Sequence, residues 1–391
     1  MTEGAAVHVA TGRVTLVAAP FLLAAILSIY FVLPTGSPAR SLLYLVPPLA
    51  ILEATQRHAR IPKSSGWAFL LLCAYFLCSA ASRGFDEFAI KESIFLVLAF
   101  AGAIIPYKVY RQFPLTLVVA GGVSVATSIV LGSTGQSLGL SLIDSTGFAE
   151  SSFGLIMPIG MIVAYKRRLG FLHFVAATVV SLLMFKRIAV IGAASIIVGD
   201  WLATRRWPRG EAGLPYRYGL PIALAVALAG ININELYIKY SEIASFLFDR
   251  IVTANELSSG RYAITKVFWQ RMVDSNTDLG WLFGGGVGRS SADLAQMASR
   301  VGTDLVLLHN DWIRILADYG AVGVAAVCVF SAWLMTKGRL MTLLVLYTLL
   351  CFLTDNTLTY VSYMAALTFL ARAGSDEPYT RARAHASSSS S

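Results

Sequence analysis

The chain has 391 residues, 56% of them hydrophobic and 14% charged, with a mean hydropathy of +0.67 and a formal net charge of +9. A soluble domain is about one-quarter charged and a disordered chain lacks the apolar surface, so both are excluded in favour of a polytopic membrane protein. The positive balance then needs no nucleic acid to explain it, because cytoplasmic loops of membrane proteins collect Lys and Arg for topological reasons.

A helix needs about 20 apolar residues to cross a hydrocarbon core about 30 Å thick. Runs approaching that length lie at residues 14–33, 41–54, 67–81, 94–107, 114–132, 151–165, 170–185, 188–203, 217–233, 317–336, 339–353 and 357–372. They predict an all-α integral membrane protein of about 12 transmembrane helices. Residues 1–233 hold the first nine, 234–316 a large and mostly helical periplasmic loop, 317–372 the last three, and 373–391 a disordered cytoplasmic tail. The first run is too long for a cleavable signal peptide and lacks a small-x-small exit. Cys73, Cys78, Cys328 and Cys351 all lie in apolar runs without CxxC spacing, which predicts buried thiols rather than disulfides or a zinc site.

With the N-terminus in the cytoplasm, 18 of the 31 Lys and Arg and 6 of the 22 Asp and Glu fall inside. That leaves +12 inside and −3 outside, which satisfies the positive-inside rule with both termini cytoplasmic. Lys186 and Arg187, in LLMFKRIAVIG, then stand at an outer turn with no carboxylate within ten residues. A basic pair can snorkel to the interface. A cation at the membrane edge is nonetheless costly unless an anion meets it, which makes the pair a functional candidate.

In the outer loop, Leu236, Tyr240, Ile243, Leu247 and Ile251 recur at spacings of three and four, the pattern of an amphipathic helix on the membrane surface. A second helix is predicted at SSGRYAITKVFWQRM, capped by Ser258 or Ser259, with Ile264, Val267, Phe268 and Met272 as its apolar stripe. Arg261 stands in its first turn. An arginine beside the free N–H groups of a helix start suits a phosphate or pyrophosphate, although a plain surface arginine has the same signature. The glycines of LFGGGVG (Gly284, Gly285, Gly286, Gly288) have no GK[ST] and no βαβ unit around them, so they predict a tight turn, not a nucleotide loop.

In LLHNDWIRILADYGAVG, helical spacing puts Asp311, Arg314 and Asp318 on one face and His309 with Trp312, Ile313 and Leu316 on another. His8, His58 and His385 fall inside and His173 within an apolar run, so His309 alone is assigned to the outer side. Acid–base chemistry there near neutral pH would use it first.

HNDWIRILADYGAVG resembles the signature of the bacterial O-antigen ligase and O-antigen or exopolysaccharide polymerase superfamily. Its members carry a His-Asn near the end of a long periplasmic loop, then a Gly-x-x-Gly leading into the next span. SSGRYAITKVFW and LFGGGVG resemble the same family's arginine-bearing helix and glycine turn, and the topology matches along the whole chain. The resemblance implies a GT-C-type glycosyltransferase of the inner membrane, facing the periplasm, with an undecaprenyl-diphosphate-linked glycan as donor. It implies that Arg187 and Arg261 hold the diphosphate while His309 activates the acceptor hydroxyl for inverting attack. Arg314, Asn310, Asp311 and Lys186 are the accompanying substrate-binding candidates. No Asp-x-Asp occurs and the first outer loop, PTGSPAR, has no carboxylate, so the expected mechanism uses no metal and no other cofactor.

Two departures separate the family's branches here. Phe185, Lys186 and Ile188 surround Arg187 where ligases show small residues and a serine, and Thr265 stands where leucine is frequent. These favour a polymerase joining surface-polysaccharide repeat units over a ligase acting on lipid A core or a protein O-oligosaccharyltransferase. The alternative from another class is a transporter or flippase of lipid-linked sugars. Such a protein carries an internal repeat and charged or broken mid-membrane positions in both halves, whereas the polar residues here concentrate between 234 and 318.

Overall fold

The computed structural model describes residues 63–90, 92–94, 153–167, 171–183, 187–206, 214–258, 260–301, 308–336, 339–355 and 357. The apolar runs at 14–33, 41–54 and 114–132, nearly all of 94–107 and 357–372, Lys186 and the tail at 373–391 lie outside the described residues.

The regular structure of the described residues is helical, with no strand among them. In chain order the helices are α1 (Lys63–Ser82), α2 (Phe153–Arg167), α3 (Phe171–Leu183), α4 (Arg187–Arg206), α5 (Leu214–Ile231) and α6 (Ile233–Phe248). They continue with α7 (Ala254–Leu257), α8 (Arg261–Ser275), α9 (Asp278–Phe283), α10 (Arg289–Val301), α11 (Asp311–Met335) and α12 (Arg339–Thr354). Among the described residues, α11 is the one helix long and apolar enough by itself to cross a membrane. A second crossing is counted if α5 and α6 form one span, bent by 76° where they join. By contrast α3, with 13 residues, rises about 20 Å, short of a hydrocarbon core of about 30 Å.

Side-chain contacts fix the register of these helices. The Tyr347 hydroxyl donates to the Leu155 carbonyl at 2.8 Å, near the start of α2. At the other end of α2, the Tyr165 hydroxyl donates to Asp200 at 3.0 Å, and Asp200 also meets Arg339 at 2.5 Å and Lys166 at 3.7 Å. Helix α5 lays Gly219 beside Ala332 and Met335 and Gly230 against Trp312. So α5 runs antiparallel to α11, and α2 and α4 run antiparallel to α12. One end of this bundle gathers Tyr165, Lys166, Asp200, Arg339 and Met335; the other gathers Leu155, Gly230, Trp312 and Thr354. Trp312, Tyr347, Phe268, Ile159 and Ile162 fill the core between them with the largest fully buried side chains.

The cysteine expectation holds in part. Cys328 and Cys351 are buried, but Cys73 is half-buried and Cys78 exposed, on a helix that also exposes Leu70, Leu71 and Leu77. An apolar run does not say which of its sides the protein covers.

The glycine-rich stretch is a tight turn that mates with a break in α11. Gly320 leaves helical geometry (φ 64°, ψ −167°), so the carbonyls of Ala317 and Asp318 lose their helical partners. The backbone N–H groups of Gly285 and Gly286 donate to those two carbonyls at 2.8 and 3.0 Å. Gly284 (φ 78°) and Gly320 face each other's backbones so closely that a Cβ on either would run into the opposite strand of main chain. The turn is pinned from its far side too, where Val287 N–H donates to Ser79 Oγ at 2.9 Å. Gly284→Ala is therefore expected to destabilise the protein by about 2–5 kcal/mol, combining left-handed strain of about 1–2 kcal/mol with overpacking of about 1–3 kcal/mol. Gly260 has a similar φ of 84° but no neighbour within 4 Å, so Gly260→Ala should cost only the strain. Thermal unfolding of the two variants under identical conditions checks the difference.

Candidate functional site

His309 is held just ahead of α11, not on it. Asn310 caps the helix: its side-chain oxygen accepts from Ile313 N–H at 3.0 Å, and its amide donates to the Gly230 carbonyl at 2.8 Å. Trp312 plugs the space beside Gly230 and meets the Phe352 ring edge-on, with centroids 5.6 Å apart. The turn carrying His309 is thereby clamped between α5 and α12. The sequence expectation of His309 on the helix face with Trp312 and Leu316 is corrected to this pre-helical position, because Asn310 needs extended backbone to cap (φ −159°, ψ 104°).

Among the described residues, the carboxylate paired with the imidazole comes from beyond α12. Nδ1 of His309 stands 3.6 Å from Oδ1 of Asp355, outside hydrogen-bond distance but within ion-pair range. Nδ1 is itself buried, and the ring as a whole is 14% exposed, so its access to the outside lies at other atoms. Asp355 was not singled out from the sequence, since a carboxylate 46 residues after the histidine at the end of an apolar run carries no local signal.

Arg261 arrives at the same place. It is the first residue of α8, and Nη1 donates to the Thr354 carbonyl at 2.5 Å, next to Asp355. That bond engages one of the five donors of a guanidinium. Ser258 supports the helix start, accepting Tyr262 N–H at 2.9 Å on its Oγ, while Ser259 lies outside the described residues. The predicted stripe of α8 is right for Phe268 and Met272, which are buried, and for Ile264, which packs on the core. Val267 is exposed, and Thr265 takes the buried position beside Phe268.

The backbone of Arg187 starts α4. Gly192 lies against Tyr347 and Leu350, and Asp200 against Arg339. Continuing that antiparallel register five residues back from Gly192, about 7.5 Å along the axis, brings Arg187 level with Phe352–Asp355. Two separated segments, at residues 261 and 309, thus meet at the end of α12, and the backbone start of α4 lies at the same height along the bundle.

The other candidates are engaged within the protein. Asp311 is fully buried, with Oδ2 accepting from the Thr357 hydroxyl at 2.5 Å. Arg314 is buried between Glu92, which it contacts through Nη2, and Asp318, whose Oδ2 is 3.8 Å from its Nε. Asp318 also accepts from the N–H and hydroxyl of Ser290 at 2.7 and 3.0 Å, and Ser291 donates to Glu92 at 2.5 Å. One guanidinium faces two carboxylates here, and its removal would strand both in the core. The network ties residues 92, 290 and 291 to the first two turns of α11. Nearby, outside the bundle, Asp86 keeps its carboxyl below the usual range: burial raises it, but the Ala89 and Phe88 N–H groups and the Arg83 guanidinium at 2.7 Å outweigh that. Among the described residues, no three His, Cys, Asp or Glu side chains gather as a metal site.

Compared with protein-family models, with curated proteins and with solved structures, the chain finds no match.

Proposed function

We propose that this chain is a multi-pass membrane glycosyltransferase with about 12 spans that transfers a glycan from an undecaprenyl-diphosphate donor to an acceptor hydroxyl on the outer side of the inner membrane. In this reading it polymerises surface-polysaccharide repeat units. The observation that carries it is the meeting of His309, Asp355 and Arg261 at the end of α12, with the start of α4 at the same level. These are the residues that the charge count assigns outside, while Lys166, Asp200 and Arg339 cluster at the opposite end.

The chemistry fits the groups. The acceptor O–H gives its proton to His309 as its oxygen forms a bond to the anomeric carbon. The bond from that carbon to the phosphate oxygen breaks, and undecaprenyl diphosphate leaves with the bonding pair. Arg261 and Arg187 meet the charge that grows on the leaving diphosphate, which is the task for which fixed cations in a partly dry site are most effective. Asp355 steadies the imidazolium through Nδ1. Asn310, Asp311 and Arg314 hold the turn and helix that present His309.

Because two arginines neutralise the leaving group, glycan transfer by the purified protein should be unchanged by EDTA; loss on chelation with recovery on adding a divalent cation would overturn this route. Deleting the gene tests the acceptor. Accumulation of single repeat units supports a polymerase, whereas finished polymer that never reaches lipid A identifies a ligase. Normal polymer on the surface would sink both.

A further inference from the structure

Helix α6 turns its large apolar side chains away from the protein. Ile233, Ser241 and Ala244 are buried and Tyr237 packs on the core, so the side facing the bundle is built partly from small residues. At 100° per residue, Tyr240, Ile243 and Leu247 form the adjoining stripe, exposed by 57%, 53% and 69%. Glu235, Lys239 and Glu242 form a third stripe, also exposed, opposite the protein, with Phe246 as the one large apolar side chain on it near the C-terminal end of the helix. Water-facing helices do not place their apolar stripe between the protein and a charged stripe without something to cover it.

The direction of the helix says what covers it. It leaves α5 at 76°, so if α5 crosses a bilayer, α6 lies almost in the membrane plane. Helix α5 likewise exposes Leu220, Leu224 and Leu228 at intervals of one turn, and the turn after α6 exposes Ile251. We propose that α6 and the turn to Ile251 lie in the outer-leaflet interface, with Tyr240, Ile243, Leu247 and Ile251 among the upper acyl chains of phospholipids. The elbow is therefore a surface anchor, not the second half of a broken span.

This anchor sets the level of the candidate site. Val252 N–H donates to Ser245 Oγ at 2.8 Å, Arg250 pairs with Glu256 at 2.9 Å, and the Asn255 carbonyl accepts Gly260 N–H at 2.8 Å. A short, bonded path thus links the lipid-facing stripe to Arg261, placing the arginine at headgroup height, where a lipid's diphosphate sits. The proposal rests on the membrane reading of the chain and not on glycan transfer.

Nitroxide labels test it. Ile243→Cys, Leu247→Cys, Lys239→Cys and Glu242→Cys are made singly with the four native cysteines changed to serine, and reconstituted in phosphatidylethanolamine and phosphatidylglycerol vesicles without donor. Labels at 243 and 247 should collide often with oxygen and rarely with a water-soluble nickel chelate; those at 239 and 242 should show the reverse. Equal chelate access at all four positions overturns the proposal, as does low collision with both reagents at 243 and 247, which means a protein cover such as a second copy. Tyr240→Cys reads the same stripe if either apolar substitution fails to insert. An inactive protein with the expected depth pattern would sink the enzyme reading and leave the anchor standing.

Discussion

His309→Ala is expected to lower glycan transfer from a lipid-diphosphate donor by about 10²–10⁴-fold, the range for losing a positioned base, while the protein stays folded and inserted. The stability half of this expectation follows from the contacts. Nδ1 of His309 has no hydrogen-bond partner and the turn is held by Asn310 and Trp312, so truncating the ring costs packing beside Asp355 but leaves the bonds that hold the turn in place. The activity half follows from what remains: Arg261 and Asp355 would still be in place, but nothing at that point would take the acceptor's proton. Asp355→Asn should give a smaller loss, because an amide keeps the volume but cannot stabilise an imidazolium 3.6 Å away. Turnover by purified, detergent-solubilised His309→Ala equal to wild type would remove the base assignment outright. If Asp355→Asn is as active as wild type while His309→Ala is inert, the carboxylate has no part in the step.

Much of the helix pattern was legible because a helix in an apolar environment is written as an uninterrupted apolar run. The runs at 67–81, 151–165, 170–185, 188–203, 217–233, 317–336 and 339–353 all reappear as helices, with α11 starting six residues early because Asn310 supplies the cap. What stayed hidden is what joins segments far apart in the chain. Glu92 meets Arg314 across 222 residues, and Asp355 reaches His309 from beyond another helix. The two glycine patterns were each visible, but not that Gly285 and Gly286 donate to the carbonyls freed at Gly320, since backbone pairing leaves no side-chain signature. The apolar stripe of α6 was legible as a stripe, whereas its orientation away from the bundle depends on Ser241 and Ala244 packing inward, which hydropathy alone ranks the other way.

Arg261→Ala should weaken binding of an undecaprenyl-diphosphate donor by roughly 10- to 100-fold, the equivalent of one lost charge-assisted hydrogen-bond set of about 1.5–3 kcal/mol. Arg187→Ala should act in the same direction, because α4 begins at the level of the same helix end. The two differ in what else they touch. Arg261 also closes the end of α12 by donating to Thr354, so its alanine variant loses a link between α8 and α12. Arg261→Lys separates the two roles: lysine restores the charge but not the fork that can bind a carbonyl and a phosphate together. Recovery of donor affinity by lysine would therefore point to charge, and recovery of thermal stability alone would point to the Thr354 contact. Should both alanine variants bind donor like wild type, the leaving-group role fails for this end of the bundle. Arg261 would then serve only to close the end of α12 at Thr354, and His309 would need a different reaction to serve.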